Sequence, residues 1–480
     1  MIHGKNNIRH ECDIEILRLS SKGEGVGNCL LPGKEKEEPI ALPLAIPGDH
    51  WHVALGKRRR RKLQVLSAQL LHPSEHRVPP RCAHTAECGG CSLQQLEYGE
   101  QLKEREKGLK KAFGALLEDS QVQFHPILPC SDPWQYRNKM EFSFSQDREG
   151  RRFLGLFMRK SRGKVFNLHE CALVSNWFSQ TLSAVRKWWE STTLAAYHPP
   201  TNEGTLRTLI LREGKRTQDK LALLTVSGNP TFAMKKDQLA SFVEALVTST
   251  KESEKLSIFL RIQQIAKGKE TQSFEMHLSG KDHYTEKLFL DTPQGKRALE
   301  FKISPASFFQ PNPLQAEKLY SRALEMASLS PNSIVFDLYA GMATLGMAAA
   351  LIAKHVIAIE CNPYAVFDAE INRERNGITN LELHCGDVAA VLNKLQADSA
   401  YPSLDLAILD PPRCGLSPQA LEAVVRLSAK KILYVSCNPA TAAQNISLFK
   451  EKNYQLKELQ PVDQFPHTMH LETIALLEKS

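Results

Sequence analysis

The chain has 480 residues, 42% hydrophobic and 24% charged, which excludes a disordered protein and makes two to four globular domains the natural expectation. Its 61 Lys and Arg against 53 Asp and Glu leave a net charge of +8, too small to define a partner without knowing where the cations sit. Residues 1–7 lack the apolar core of a secretory signal. The longest nearly apolar run, Leu338 to Ala353, is too short for a bilayer span and contains Gly341 and Gly346. A cytoplasmic protein without a membrane partner is therefore expected, its 11 cysteines present as thiols or metal ligands. No obligate protein partner is evident.

Between about Asp13 and Ala68 short strands alternate. Ile40, Leu42, Leu44 and Ile46 precede the turn Pro47-Gly48-Asp49, and Trp51, Val53 and Leu55 follow it. A small closed barrel of the OB kind fits, because closure removes exposed strand edges. The run Lys57-Arg58-Arg59-Arg60-Arg61-Lys62 suits a polyanionic partner tracked along its backbone. Next, Cys82, Cys88 and Cys91 have the spacing C-x5-C-x2-C beside Gly89 and Gly90, which supplies three thiolates to a metal. Zinc and iron–sulfur both accept four thiolates, and Cys130 or Cys171 offers the fourth. Tyr98 to Leu117 reads as an amphipathic helix whose role is packing, and Tyr136 to about Leu290 as a strand-rich α+β insert with helices near Trp177–Trp189 and Lys235–Val247.

After Gln310 strand and helix alternate, with strands at Ile334–Leu338, His355–Glu360, Leu381–Cys385, Leu404–Leu409 and Lys431–Val435. That pattern predicts a doubly wound parallel sheet, which binds ligands outside the carboxyl ends of its strands. Asp337, Glu360, Asp387, Asp410 and Cys437 fall at or just past those ends. The turn Asp337 to Gly346 and an acid 23 positions on, Glu360, suit a ribose-bearing cofactor, either NAD or S-adenosylmethionine (SAM). Cys437 lies between a strand and a helix opened by Pro439. Proximity to a helix amino terminus is expected to lower its pKa and make it nucleophilic. Read alone, Glu472 is a solvated strand end.

Five motifs in order resemble the SAM-dependent RNA uracil-C5 methyltransferase family, its ribosomal RNA branch most of all. They are the C-x5-C-G-G-C loop, Phe308-Phe309-Gln310-Pro311-Asn312, Asp410-Pro411-Pro412-Arg413, Ser436-Cys437-Asn438-Pro439, and Phe465-Pro466-His467-Thr468 with His470-Leu471-Glu472. The resemblance implies a TRAM (OB-like) RNA-binding barrel over 1–72 and a central α+β domain over 73–300 with an iron–sulfur loop. Within that domain a helix in 92–120 would pack on the catalytic domain. A Rossmann-like class I methyltransferase domain would fill 301–480. It further implies Cys437 as nucleophile and Glu472 as general base, with Asp410 near the reacting pyrimidine. Gln310, Tyr339, Thr344, Glu360, Asp387 and Asp410 fall at the SAM-contacting positions, and Cys82, Cys88, Cys91 and Cys171 at the ligands of a [4Fe–4S] cluster. The implied reaction forms 5-methyluridine in 23S ribosomal RNA through a Cys–C6 adduct. A transfer RNA substrate, and a non-catalytic iron–sulfur RNA-binding protein, are the alternatives. Ala340 stands where the family has cysteine and Ala343 where it has a second glycine, which bears on cofactor affinity.

Overall fold

The computed structural model describes residues 8, 10–59, 62–119, 121–161, 163–265, 268, 270–397 and 404–480. The reading of residues 1–7, and Arg60 and Arg61 of the cationic run, lie outside that set. Two compact units result, one of Met1–Lys111 with Phe465–His470 and one of Ala112–Gln464 with Leu471–Ser480.

In the first unit β1 (His10–Leu19), β2 (Gly25–Cys29), β3 (Glu38–Leu42), β4 (His50–Arg59) and β5 (Lys62–His72) form one curled antiparallel sheet, order β3-β2-β1-β4-β5. Ile14, Ile16, Cys29, Ile40, Leu42, Val53 and Leu55 fill its concave side. Period-2 alternation places them on one face. Of the cationic run, Lys57, Arg58 and Arg59 end β4 and Lys62 begins β5; Arg58 pairs with Glu38. Asp49 is fully buried in the turn before β4. It accepts hydrogen bonds from the backbone N–H of Ile46 (2.8 Å) and Ser74 (3.0 Å) and from Arg77 Nε (2.9 Å). Two cysteines depart from the thiol-or-metal expectation: Cys12 on β1 and Cys29 on β2 are joined in a disulfide. Adjacent antiparallel strands bring them together, which spacing along the chain does not reveal. Helix α1 (Tyr98–Phe113) follows with Leu109 and Phe113 buried. The segment Phe465–His470 is stitched to this unit: the N–H of His467 donates to Gln101 Oε1 (3.1 Å), and its carbonyl accepts from Ser92 N–H (3.0 Å).

The second unit starts with β6 (Gln123–Phe124) and continues into a seven-stranded sheet. This sheet contains β7 (Lys139–Gln146), β8 (Arg152–Phe157), β9 (Val165–Asn167), β10 (Leu206–Glu213), β11 (Lys220–Ser227), β12 (Leu256–Gln264) and β13 (Gln272–Ser279), order β13-β12-β11-β10-β7-β8-β9. Helices α2 (Asn176–Glu190) and α3 (Lys236–Ser249) are the two predicted in the insert; Trp188 of α2 stacks edge-on against Phe242 of α3. A hairpin, β14 (Tyr284–Thr292) and β15 (Gly295–Ile303), shares one apolar core with the eight-stranded sheet that follows through Leu288, Leu290, Leu299 and Phe301. Residue 300 thus lies inside a strand.

The rest alternates: α4 (Pro313–Ala327), β16 (Ile334–Leu338), α5 (Thr344–Ala350), β17 (His355–Glu360), α6 (Pro363–Arg375), β18 (Leu381–Cys385), α7 (Val388–Ala397), β19 (Leu406–Leu409), α8 (Pro418–Leu427), β20 (Lys431–Ser436), α9 (Pro439–Lys450), β21 (Tyr454–Val462) and β22 (Glu472–Lys479). The sheet order is β18-β17-β16-β19-β20-β22-β21-β6. Its first five strands are parallel; β17, β16, β19 and β20 are buried on both faces and read as largely apolar runs, whereas the edge strand β18 is only partly covered. Strand β22 then inserts antiparallel between β20 and β21. Four helices start with proline at the first turn, after Asn312, Asn362, Ser417 and Asn438. Proline has no N–H to leave unpaired there and its φ is already helical.

Candidate active site

The switch in strand order lies between β16 and β19, where the connections diverge to either side and open a crevice at the strands' carboxyl ends. Asp337 lies within the last turn of β16, and the chain then bends through Tyr339 (φ 63°), Gly341 (φ 57°) and Ala343 (φ 54°) into α5. Glu360, ending β17, fastens this turn: one carboxylate oxygen accepts the Gly341 N–H (2.9 Å) and the other accepts the Asn362 N–H (2.8 Å). The N–H of Ala340 donates to the Ile359 carbonyl (3.0 Å), so the turn is tied to β17 by backbone whatever the side chain at 340. A Cβ built on Gly341 would meet nothing within 4 Å, so a ligand has room against the backbone there. At Gly346 a Cβ would come within 2.6 Å of Asp337 Oδ2, which explains the glycine. That oxygen is buried and has no hydrogen-bond partner among the described residues. Burial, opposed by the Gly346 N–H and reinforced by Asp410 and Glu360, pushes the Asp337 carboxyl up to about 7. A cleft lined with acids beside an open glycine turn fits a cofactor carrying positive charge and a ribose, as SAM does.

The other predicted cofactor residues divide by environment. Gln310 is buried, its Oε1 accepting from Gln464 Nε2 (3.3 Å) and its carbonyl from Asn138 Nδ2 (3.1 Å). Tyr339 is half-buried beside Asp387, and burial foremost raises its hydroxyl to about 12. Thr344 opens α5. Asp387 is exposed and its Oδ1 accepts the Ala390 N–H (3.0 Å), a helix-capping role within α7 that sequence reading did not assign.

At the opposite side of the crevice the antiparallel register pairs Ser436 with Thr473, which sets Cys437 and Glu472 opposite each other one step beyond that rung. Glu472 is buried, not solvated, because β22 lies between two strands. Burial, then Asp410, push its carboxyl up to about 8, with Arg413 opposing. Asp410, half-buried at the end of β19, is raised to about 7 by burial. The Cys437 thiol also moves up, contrary to the helix-terminus expectation. Burial and the neighbouring Glu472 raise it, and a hydrogen bond from Arg413 acts the other way.

Arg413 was read from sequence only as the last residue of the Asp410-Pro411-Pro412-Arg413 motif, yet it is the cation that faces both Cys437 and Glu472. Its position is held by Asn438. Instead of capping α9, the Asn438 side chain donates to the Arg413 carbonyl (3.0 Å) and to Thr441 Oγ1 (2.6 Å), tying the Asp410–Arg413 loop to the Cys437 loop. Tyr320 on α4 was not singled out either. Its hydroxyl is buried, hydrogen-bonds Thr344, and feels Asp410, Asp337 and Glu472; burial first and these acids next raise its pKa far above the usual range. An apolar helix face with one tyrosine carries no sequence signal for such a place.

The cysteine loop belongs to the first unit, where Cys82, Cys88 and Cys91 are half-buried and the Gly90 N–H points at Cys88 Sγ (3.3 Å). Such a donor suits a thiolate. Cys171, half-buried before α2, belongs to the second unit. Cys130 is buried, its thiol raised by burial, and it receives Asn312 Nδ2 at 3.6 Å.

Residues 248–480 match the family model described as tRNA (Uracil-5-)-methyltransferase. An uncharacterised RNA methyltransferase of Protochlamydia amoebophila is 47% identical over 442 residues, covering 91% of this chain and 99% of its own. Another, from Caldanaerobacter subterraneus, is 32% identical over 471 residues, covering 97% and 98%. Among solved structures, the Pyrococcus abyssi tRNA (uracil-54, C5)-methyltransferase in complex with S-adenosyl-L-homocysteine superposes with a TM-score of 0.71 at 24% identity, covering 97% of this chain and 100% of that one. With relatives of that identity spanning almost its whole length, and a crevice fitted to SAM, the chain belongs to the SAM-dependent RNA uracil-5-methyltransferase family.

Proposed function

We propose that this enzyme forms 5-methyluridine in structured RNA, with 23S ribosomal RNA as its substrate, through a covalent adduct between Cys437 and C6 of the uracil. The observation that carries the proposal is the β20–β22 register, which sets a thiol beside a buried carboxylate with Arg413 facing both. Uracil C5 is a weak nucleophile until sulfur adds to C6 and makes C5 enolate-like. Arg413 favours the thiolate over the thiol at the start of this step. When bound, SAM supplies a methyl group on a sulfonium, which C5 attacks. Glu472 then takes the C5 proton, the C5–C6 double bond re-forms, and the Cys437 sulfur leaves as thiolate. A base with a pKa near 8 is well matched to that proton. Gln310, Tyr339, Thr344, Glu360, Asp387 and Asp410 hold the cofactor in this reading, and the target base leaves its stack to reach Cys437.

The chain divides in function into an RNA-binding TRAM barrel over 1–72, a central domain over 73–300 and the catalytic domain over 301–480. Cys82, Cys88, Cys91 and Cys171 ligate a [4Fe–4S] cluster; the Gly90 N–H aimed at Cys88 supports thiolate character there. The cluster orders protein and RNA, since methyl transfer is not redox chemistry, and the enzyme works in a reducing cytoplasm. Protein purified anaerobically should hold about four irons per chain; stoichiometric zinc in their place overturns the cluster.

The test of the reaction is labelled SAM with unmodified 23S ribosomal RNA and, separately, unmodified transfer RNA. Label at uridine C5 of the ribosomal RNA is expected. Label in transfer RNA alone reverses the substrate, and label in neither overturns the reaction. Cys437→Ala should abolish turnover and Glu472→Gln should accumulate enzyme–RNA adduct.

A further inference from the structure

The barrel sheet holds a group of donors that the methyl-transfer chemistry does not use. On β1, His10, Cys12, Ile14 and Ile16 share one face by strand alternation, and the first two are only half-buried while the isoleucines are covered. Cys29, buried at the end of β2, comes across to Cys12 beyond the Ile16–Gly27 pairing, with the Cα atoms 6.6 Å apart. A ring nitrogen of His10 and the two sulfurs all lie within 4.8 Å of one another. Two sulfurs and one imidazole nitrogen are the donor set of a borderline-soft divalent cation, above all zinc.

Joined as a disulfide, the two sulfurs carry no charge and bind no cation. A thiol reductant supplies two electrons and two protons, which turn the bond into two thiols. Binding of Zn²⁺ then displaces both protons and leaves two thiolates and a neutral imidazole on the metal. Tetrahedral ligation at about 2.3 Å per sulfur separates the two sulfurs by roughly 3.8 Å. Cα atoms 6.6 Å apart on neighbouring strands accommodate that with side-chain rotation. His10 and Cys12 sit at the exposed end of the strand face, so an ion and a water reach the fourth position.

We propose that His10, Cys12 and Cys29 form a redox-gated zinc site on the barrel, in which the disulfide and the zinc-bound dithiolate are alternative clasps between β1 and β2. The site is independent of the cysteine loop and of the reading of the RNA substrate.

The experiment uses the full-length protein, purified anaerobically with its native metal content. It is incubated with or without a phosphine reductant, exposed to zinc chloride, desalted and assayed for zinc by mass spectrometry. The reduced wild type should carry one zinc per chain more than the unreduced wild type. His10→Ala and Cys12→Ser should both lose that increment while retaining whatever metal the Cys82–Cys91 loop holds. Cobalt in place of zinc should give a thiolate-to-metal charge-transfer band in the reduced wild type that His10→Ala shifts or abolishes. Equal zinc before and after reduction, or an increment unchanged in His10→Ala, overturns the proposal. If Cys12→Ser does not fold, the reduced-against-unreduced comparison of the wild type and the His10→Ala result decide by themselves.

Discussion

At Cys437 two local influences compete, and the structure decides between them. Its loop precedes α9, which lowers a thiol pKa, but the thiol is half-buried and next to Glu472, and the net shift is upward. Arg413 is the group that offsets it. Losing that cation should therefore slow adduct formation, by roughly 100-fold for a charge at a reacting centre. Arg413→Gln in a Glu472→Gln background makes the adduct rate directly measurable, and an unchanged rate would remove Arg413 from the chemistry. The wild-type rate should climb with pH as the thiol and Glu472, at about 8, lose their protons. Arg413→Gln alone should carry the rising limb to higher pH, because the thiol then loses the cation that draws it down. The position of Cys437 between a strand and a helix was legible in the chain, from an apolar run followed by Asn-Pro. Arg413, Tyr320 and the burial of Glu472 were not. Each depends on which strand lies beside which, and β22 runs against the parallel order that the alternating pattern announces.

The same contrast holds for whole elements. The inner parallel strands were readable to within a residue or two because both of their faces are covered and their sequences are largely apolar. One helix start was read from Asn438-Pro439, and the structure shows the same kind of pair opening α4, α6 and α8. What the pairs do not show is when a cap residue is diverted, as Asn438 is to the Arg413 carbonyl. Asn438→Ala should lower kcat by one to two orders of magnitude, on the scale of about 100-fold for a misplaced group, with SAM affinity little changed. Titration calorimetry of SAM beside turnover separates the two; a matching loss of SAM affinity would make Asn438 a cofactor-site residue. Ala343 is the other departure with a local cost. It caps α5 with φ 54°, a left-handed conformation that a side chain disfavours by about 1 kcal/mol. Ala343→Gly should therefore stabilise the apoprotein by up to ~1 kcal/mol and leave SAM binding intact or tighter. Thermal denaturation without cofactor checks the first part, and a lower melting temperature would show that the methyl group's packing outweighs the strain.

Across the molecule, the two units carry buried carboxylates of opposite kind, and pH distinguishes them. In the first unit burial raises the Asp49 carboxyl, but Arg77 and the N–H groups of Ser74 and Ile46 outweigh it and the net shift is down. A depressed folded pKa means stability that is present above the unfolded value, near 3.8, and is lost as pH falls through the folded one. In the second unit Asp337 and Asp410 are raised to about 7 and Glu472 to about 8. Raised carboxyls bind protons more tightly folded than unfolded, so their contribution is complete only below the unfolded value, near 4. It declines as pH climbs from the unfolded range near 4 through about 7 to 8. Scanning calorimetry of the cofactor-free protein between about pH 3 and pH 9 should resolve two transitions, since the units have separate cores. The first unit's transition should weaken only at the acid end, and Asp49→Asn should erase that dependence at a cost of about 2–4 kcal/mol. The second unit's transition should fall as pH climbs from about 4 to about 8, with Asp337→Asn flattening the decline. Saturating SAM should flatten it too, because positive charge against those acids favours their ionised form. Two transitions that move together with pH, or a decline between about pH 4 and pH 8 untouched by Asp337→Asn, would show that these carboxyls do not govern the stability of the second unit.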